Sequence, residues 1–390
     1  MPNRLLIKDG ILALPGGPIR ADILCEGHRV AAMGRDLAAD DARVLNANGL
    51  TLGPGFVDVH VHGGGGFSFF SSDRENVTGY SQWAPRNGVT SYLISTIGRD
   101  DDDTARRLTA LAPTIGTRSG AEPLGFHLEG PFLNPDRRGA FYPSMLLPPS
   151  PAAFVRYQEA ARGLIRQVTL APELEGALEL VATVLATGAT AAMGHTDATT
   201  PQAAAGFRAG IRHVTHLFNA MRPLHQREGG PIAAALLEER ATCELICDGA
   251  HVAPEALRLA YRLLGAGRTI VVTDNLEIAG TDEMTATFGD DPVKVEGFRA
   301  VRRDGTIVGS VATMDEHFRN VLAFLEVDVS TAFRLCATNP ARVAGVENRK
   351  GALAHEMDAD IVLLDRQLQV EATVCRGEIA FIRDPGRCTG

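Results

Sequence analysis

Two histidines two residues apart, His60 and His62, close a short apolar run that begins Phe56-Val57-Asp58-Val59. Phe and Val favour strands, and a strand alternates its faces, so both imidazoles point to one side. Two imidazoles side by side at a strand end can grip one divalent ion. Four glycines follow, Gly63 to Gly66; they are expected to let the chain leave the strand sharply and to keep space open beside the site. Metal-capable residues recur at the ends of later apolar runs: His127-Leu128-Glu129, Gly194-His195, Thr215-His216, Asp248-Gly249-Ala250-His251 and Thr273-Asp274. Singly, each reads equally well as a loop or surface residue. Together, such residues at six run ends are hard to explain as packing.

The chemistry that suits this set is hydrolysis. Histidines and a carboxylate can hold one or two divalent ions, and such ions activate water near neutral pH. Ligands without thiolate suit zinc, iron, manganese or cobalt. Asp274, on the last run, is placed to serve as acid and base; its other reading is a plain ligand or a structural carboxylate. Glu173 either supports the site or caps the next helix. Cys243 and Cys247 flank the site strand and read as core.

Such a set needs a scaffold that delivers many strand ends to one face. Apolar runs at 56–60, 89–96, 124–129, 167–172, 190–195, 212–217, 242–248 and 269–274 alternate with helix-like stretches, for example 101–111, 176–187, 200–209 and 254–264. Eight alternations predict an α/β fold, a (β/α)8 TIM-like barrel with the site at the C-terminal ends of its strands. Residues 4–52 read as short strands: Arg4-Leu5-Leu6-Ile7, a turn at Asp9-Gly10, then Ile11 to Leu14 and more beyond. The chain ends in β texture again at 360–365, 370–374 and 378–382. The economical arrangement is a small β-sandwich built from both termini (1–52 and 346–390) with the catalytic barrel (53–345) between them. Residues 281–312 read as an inserted strand pair or loop, followed by helices at 315–325 and 330–336.

A net charge of −9 over 390 residues argues against a general nucleic-acid binder. No apolar run is long enough to span a bilayer, and Lys8-Asp9 interrupts any signal-like core, so a cytoplasmic protein without membrane partners is expected. The six cysteines show no Cys-x-x-Cys pair and read as free thiols.

Longer motifs sharpen this reading. Pro-Gly-Phe-Val-Asp-Val-His-Val-His-Gly (54–63), His-Leu-Glu-Gly-Pro-Phe-Leu-Asn-Pro (127–135), Gly-His-Thr (194–196), Thr-His-Leu-Phe-Asn-Ala-Met (215–221), Asp-Gly-Ala-His (248–251) and Val-Thr-Asp (272–274) occur in that order. Gly309-Ser310, Thr313-Met314-Asp315 and Asn339-Pro340-Ala341-Arg342 follow. This set resembles the N-acetylglucosamine-6-phosphate deacetylase family of the amidohydrolase superfamily, through nearly the whole chain. The resemblance implies that Glu129, His195 and His216 are central metal ligands. It implies that His60 and His62 are the extra pair of members with a second metal, with Glu129 bridging and zinc the first expectation. Asp274 matches the general acid/base and completes the ligand set; His251 matches a catalytic residue that contacts substrate. Asn219, Ala220 and Arg227 match phosphate-binding positions, with Arg227 reaching into the neighbouring subunit of a homodimer. Backbone groups near Thr313 and Met314 match contacts to the sugar. The implied reaction turns N-acetylglucosamine 6-phosphate into glucosamine 6-phosphate and acetate.

Two departures bear on the sugar. Phe141 stands where many members place a substrate-contacting histidine. Asn275-Leu276-Glu277 follow Asp274 where alanine is common, and Glu277 would oppose a phosphate if it pointed inward. Another N-acetylhexosamine phosphate, or a different N-acyl or cyclic amide, is the alternative within this chemistry. A non-catalytic sugar-binding barrel is the alternative outside it.

Overall fold

The computed structural model describes residues 4–389. Eight parallel strands form the central sheet: β1 (Phe56–Asp58), β2 (Val89–Thr96), β3 (Glu122–Glu129), β4 (Ile165–Leu170), β5 (Thr190–Met193), β6 (His213–Val214), β7 (Thr242–Ile246) and β8 (Thr269–Val272). They are ordered consecutively from β8 to β1. Strands β2 and β3 are buried at every position, as parallel strands covered on both faces must be. The seam between β8 and β1 is stitched just past the strands. The Asp274 amide donates to the His60 carbonyl at 2.9 Å, and the Thr273 hydroxyl donates to Asp58 Oδ2 at 2.6 Å. The barrel is thus nearly closed at the end where the site residues emerge.

Helices pack around the outside, and their starts are written in the sequence. Asp100 caps Asp101–Leu111, whose first turn holds Asp101, Asp102 and Asp103 against the positive end of the helix dipole. Ser150 caps Pro151–Ala160, where proline at the first position forfeits no hydrogen bond. Thr199 and Gln202 form a capping box on Thr200–Ala209.

The terminal strands build a second, nine-stranded sheet. Thr51–Pro54 from the N-terminal part pairs antiparallel with Ile361–Leu364 from the C-terminal part, which joins the two chain ends. Its own core includes Ile7, Leu12, Ile23, Leu52, Ile361 and Val374. The expected turn at Asp9-Gly10 is instead a bulge within one continuous strand, Arg4–Leu14. A Cβ at Gly10 would meet the Leu52 side chain at 2.6 Å, so glycine there lets this strand lie close against Thr51–Pro54.

The segment expected as a strand pair or loop is a four-stranded antiparallel sheet, Thr285–Phe288, Asp291–Glu296, Arg299–Arg302 and Ile307–Ser310. Its half-exposed strands lack the continuous apolar runs that betray the barrel strands. It packs through Phe288, Val293 and Ala300 against Ile97, Leu133 and Phe141, above the barrel mouth. Among the described residues no helix is long and apolar enough to cross a membrane.

Candidate active site

The metal-capable residues all leave the C-terminal ends of barrel strands. Regular pairing in β1 stops at Asp58, so His60 and His62 sit on its exit rather than in the strand proper. Glu129 is the last residue of β3. His195, His216 and Asp274 follow β5, β6 and β8 in left-handed backbone conformations, with φ of 48°, 28° and 52°. A non-glycine residue there costs on the order of 1–3 kcal/mol and persists only where the surroundings demand it. Three such residues converge on one point.

That point is the Glu129 carboxylate. Its Oε1 lies 3.0 Å from His195 Nε2 and 2.8 Å from His216 Nε2. Its Oε2 lies 2.9 Å from His62 Nε2 and 3.4 Å from His60 Nε2. Asp274 Oδ1 stands 3.4 Å from the Nε2 atoms of both His60 and His62. Two donor sets result, His60–His62–Glu129–Asp274 and Glu129–His195–His216, sharing Glu129. All six side chains are buried.

The hydrogen bonds behind the rings test whether a cation fits. His62 Nδ1 is 3.0 Å from the Ser95 carbonyl and His195 Nδ1 is 2.8 Å from the Arg137 carbonyl. A carbonyl only accepts, so both rings carry their proton on Nδ1 and turn an Nε2 lone pair inward. His60 Nδ1 faces the Glu244 carboxylate at 2.9 Å, with the same effect, and its buried Nε2 has no hydrogen-bond partner. His195 Nε2 and His216 Nε2 stand 3.0 Å apart. Imidazole nitrogens crowded against each other and against two carboxylates make a cluster that a divalent cation satisfies.

Electrostatics agree. Burial opposes charge on Glu129, yet His60, His195 and His216 hold it well below the usual carboxylate range. Burial likewise opposes charging His62, but Asp274 and Glu129 override it and raise the ring to about 9, so that with no ion between them a proton takes the cation's place on Nε2. Asp274 is also buried, and His60 and His62 draw it below its ordinary value.

A pocket of about 270 Å³ opens over this cluster. Of the residues singled out in the sequence, His62, Glu129, Phe141, His195, His216, Asn219, Ala220, His251 and Asp274 line it. His251 donates from Nδ1 to Asp248 Oδ2 at 2.6 Å, leaving Nε2 for the pocket. Asn219 is half-buried and bonds through Nδ2 to the His216 carbonyl at 3.2 Å. His60 lies beneath, out of the lining. Arg227 is exposed on the loop after Met221 and does not reach the pocket of its own chain.

Thr313 and Met314 are not in the lining. Thr313 caps the helix Met314–Leu325, its amide and hydroxyl both held by Glu316, and Met314 is buried. The lining from this region is instead Thr306, Ile307 and Val308, with Phe288 from the inserted sheet and Phe70 from the loop after the glycines. Nothing local in the sequence marks these residues; a tertiary approach brings them in. Glu277 does not point into the pocket. It lines a separate cavity beyond Phe70, 3.4 Å from the Ser68 hydroxyl, and burial raises its pKa.

The glycines also differ from expectation. A Cβ on Gly64 or Gly65 would meet the Trp83 ring at 2.5 or 2.4 Å, and one on Gly63 the Phe67 carbonyl at 2.2 Å. Their small size admits Trp83 and the neighbouring backbone rather than leaving open space. Glu173 accepts hydrogen bonds from Asn134, Thr196 and Asp197 and so ties the loops after β3 and β5 together.

Residues 51–380 match the amidohydrolase family. An N-acetylglucosamine-6-phosphate deacetylase of Bacillus subtilis is 36% identical, over 84% of this chain and 84% of its own length. An N-acetylgalactosamine-6-phosphate deacetylase of Escherichia coli O157:H7 is 31% identical over 84% of this chain and 87% of its own. The solved structure of a variant N-acetyl-D-glucosamine-6-phosphate deacetylase from Mycobacterium smegmatis, in complex with N-acetyl-D-glucosamine-6-phosphate, matches with a TM-score of 0.89. It is 34% identical, covering 97% of this chain and 99% of that one. With the nearly closed barrel and the buried His/Glu/Asp cluster at its mouth, these matches make the chain a member of the metal-dependent amidohydrolases, in the N-acetylglucosamine-6-phosphate deacetylase family, and a hydrolase of amide carbon–nitrogen bonds.

Proposed function

We propose that this chain hydrolyses the acetamide of N-acetylglucosamine 6-phosphate, releasing acetate and glucosamine 6-phosphate. The observation that carries the reading is Glu129 shared between two donor sets, with Asp274 and His251 facing the same pocket. His60, His62, Glu129 and Asp274 would hold one ion and Glu129, His195 and His216 a second, with zinc the first candidate and iron, manganese or cobalt the others. A divalent ion supplies Lewis acidity, making water nucleophilic near neutral pH and polarising a carbonyl.

The remaining steps belong to side chains. Asp274, kept ionised by its histidine neighbours, takes the proton of the attacking water and passes it to the departing amine. His251, oriented by Asp248, presents Nε2 to the acyl oxygen as negative charge builds there. The aromatic and aliphatic wall of Phe70, Phe141, Phe288, Ile307 and Val308 shields the reacting carbonyl from bulk water.

The phosphate needs a cation, and among the described residues no Lys or Arg lines the pocket. Asn219 and Ala220 would meet it from within. Arg227 of a second copy, exposed on its loop, would supply the charge, making the working unit a homodimer. The cytoplasm is the proposed compartment; six free cysteines suit its reducing conditions.

An acetate-release screen over N-acetylated hexosamines, with and without 6-phosphate, tests this. The gluco 6-phosphate should give the highest kcat/KM, and Arg227→Ala should raise its KM by about 10- to 100-fold, the worth of a charge-assisted bond, with kcat little changed. Faster release from an unphosphorylated amide, or from the galacto epimer, would reassign the substrate.

A further inference from the structure

Glu244 stands fully buried on β7 between Cys243 and Leu245. Its two oxygens receive four donors. His60 Nδ1 reaches Oε2 at 2.9 Å and the His216 amide reaches the same atom at 3.1 Å. Gln167 Nε2 and His213 Nε2 reach Oε1, each at 2.8 Å. His213 is itself held through Nδ1 by the Thr242 hydroxyl at 2.7 Å. The donors come from β4, β6 and the exits of β1 and β6, so one carboxylate ties together strands on both sides of the barrel interior.

An apolar side chain would fill this position without the cost of burying a charge. What an apolar residue cannot do is address the ring behind the metal-facing nitrogen. Among the four cluster histidines only His60 has a carboxylate on Nδ1; His62 and His195 use carbonyls, and His216 Nδ1 has no hydrogen-bond partner.

We propose that Glu244 is the positioning residue of the ion site formed by His60, His62, Glu129 and Asp274. It fixes His60 in the Nδ1–H form, aims Nε2 at the ion and strengthens that nitrogen as a ligand. Gln167 and His213 hold the carboxylate in place. The inference rests on the two-ion reading above.

The test loads the full-length protein with zinc, applies a graded chelator and counts ions per chain by mass spectrometry. Wild type should hold two ions. Glu244→Gln should bind one of them about 10- to 100-fold more weakly, and the other, which Glu244 reaches only through the His216 amide, far less so. The ion it retains should match in affinity the single ion held by His62→Ala. A purely structural role would lower the thermal stability of the metal-free protein and leave both affinities alone. Glu244→Gln holding two ions at wild-type affinity therefore overturns the assignment, whatever its stability. If that variant fails to fold, Gln167→Leu keeps the charge and removes one donor. A smaller loss of the same ion then supports the assignment, and two unchanged affinities overturn it. Wild type holding a single ion would overturn the two-ion reading, and this assignment with it.

Discussion

Strand β3 begins with Glu122 and ends with Glu129, and these two buried glutamates meet burial in opposite ways. At the lower end, Glu122 receives Arg349 Nη2 at 2.7 Å, Lys350 Nζ at 2.9 Å and Arg376 Nη1 at 2.8 Å. Asp358 takes Arg349 Nη1 at 2.7 Å and Lys350 Nζ at 3.1 Å, while Asp360 takes Lys350 and the Arg376 amide. Three carboxylates face three cations of the same chain, and the cluster is complete in itself. At the upper end, Glu129 and Asp274 face four imidazoles, three of them with Nδ1 bonded to an acceptor and Nε2 turned inward, and among the described residues no Lys or Arg. The lower cluster locks the terminal sheet to the barrel; the upper one is left wanting a cation. This is the barrel's usual division of stability at one end and chemistry at the other, here written along one strand.

The contrast can be broken from either end. Asp274→Asn should reduce kcat by about 10²–10⁴-fold, the range for general acid–base catalysis, in a protein that stays folded and still binds metal. Steady-state acetate release beside metal analysis checks this; a near-normal rate would remove Asp274 from the acid/base role. Lys350→Met acts at the other end. It leaves Asp358 and Asp360 short of a cation and should cost about 3–5 kcal/mol of stability, read as a lower urea midpoint, with kcat of the folded protein unchanged.

Acid sharpens the comparison further. Burial pushes Glu122 up, but Arg349 and Lys350 pull it from its usual 4.5 down to about 2. A carboxylate depressed in the folded state stabilises the protein above its unfolded pKa and loses that contribution as pH falls through the folded one. The stability owed to Glu122 should therefore vanish between about pH 4.5 and 2. Urea midpoints across that window, in wild type and Glu122→Gln, should converge as pH falls.

The barrel and its upper cluster were legible because eight apolar runs alternate with helices and six of them end on metal-capable residues. The loops then gather His60, His62, Glu129, His195, His216 and Asp274 on one face. The inserted sheet was legible only in part, because Asp291–Glu296 alternates exposed and buried residues over too short a stretch. Phe70, Phe288 and Thr306 to Val308 gave no local signal at all. Arg349 and Lys350 look like a solvated loop pair, and only the docking of the terminal sheet buries Lys350. Glu244 did carry a signal, a charge inside a strand that must be buried on both faces; its partner His213 lies 31 residues away in sequence but on the adjacent strand in the barrel.

The most direct test of the metal-centre reading is a strip-and-reload assay on N-acetylglucosamine 6-phosphate. Protein depleted with chelator should release no acetate, and graded return of zinc should restore equal amounts of acetate and free amino-sugar phosphate, with thermal stability rising as the ions bind. Acetate release at the untreated rate from the fully stripped protein would contradict the account.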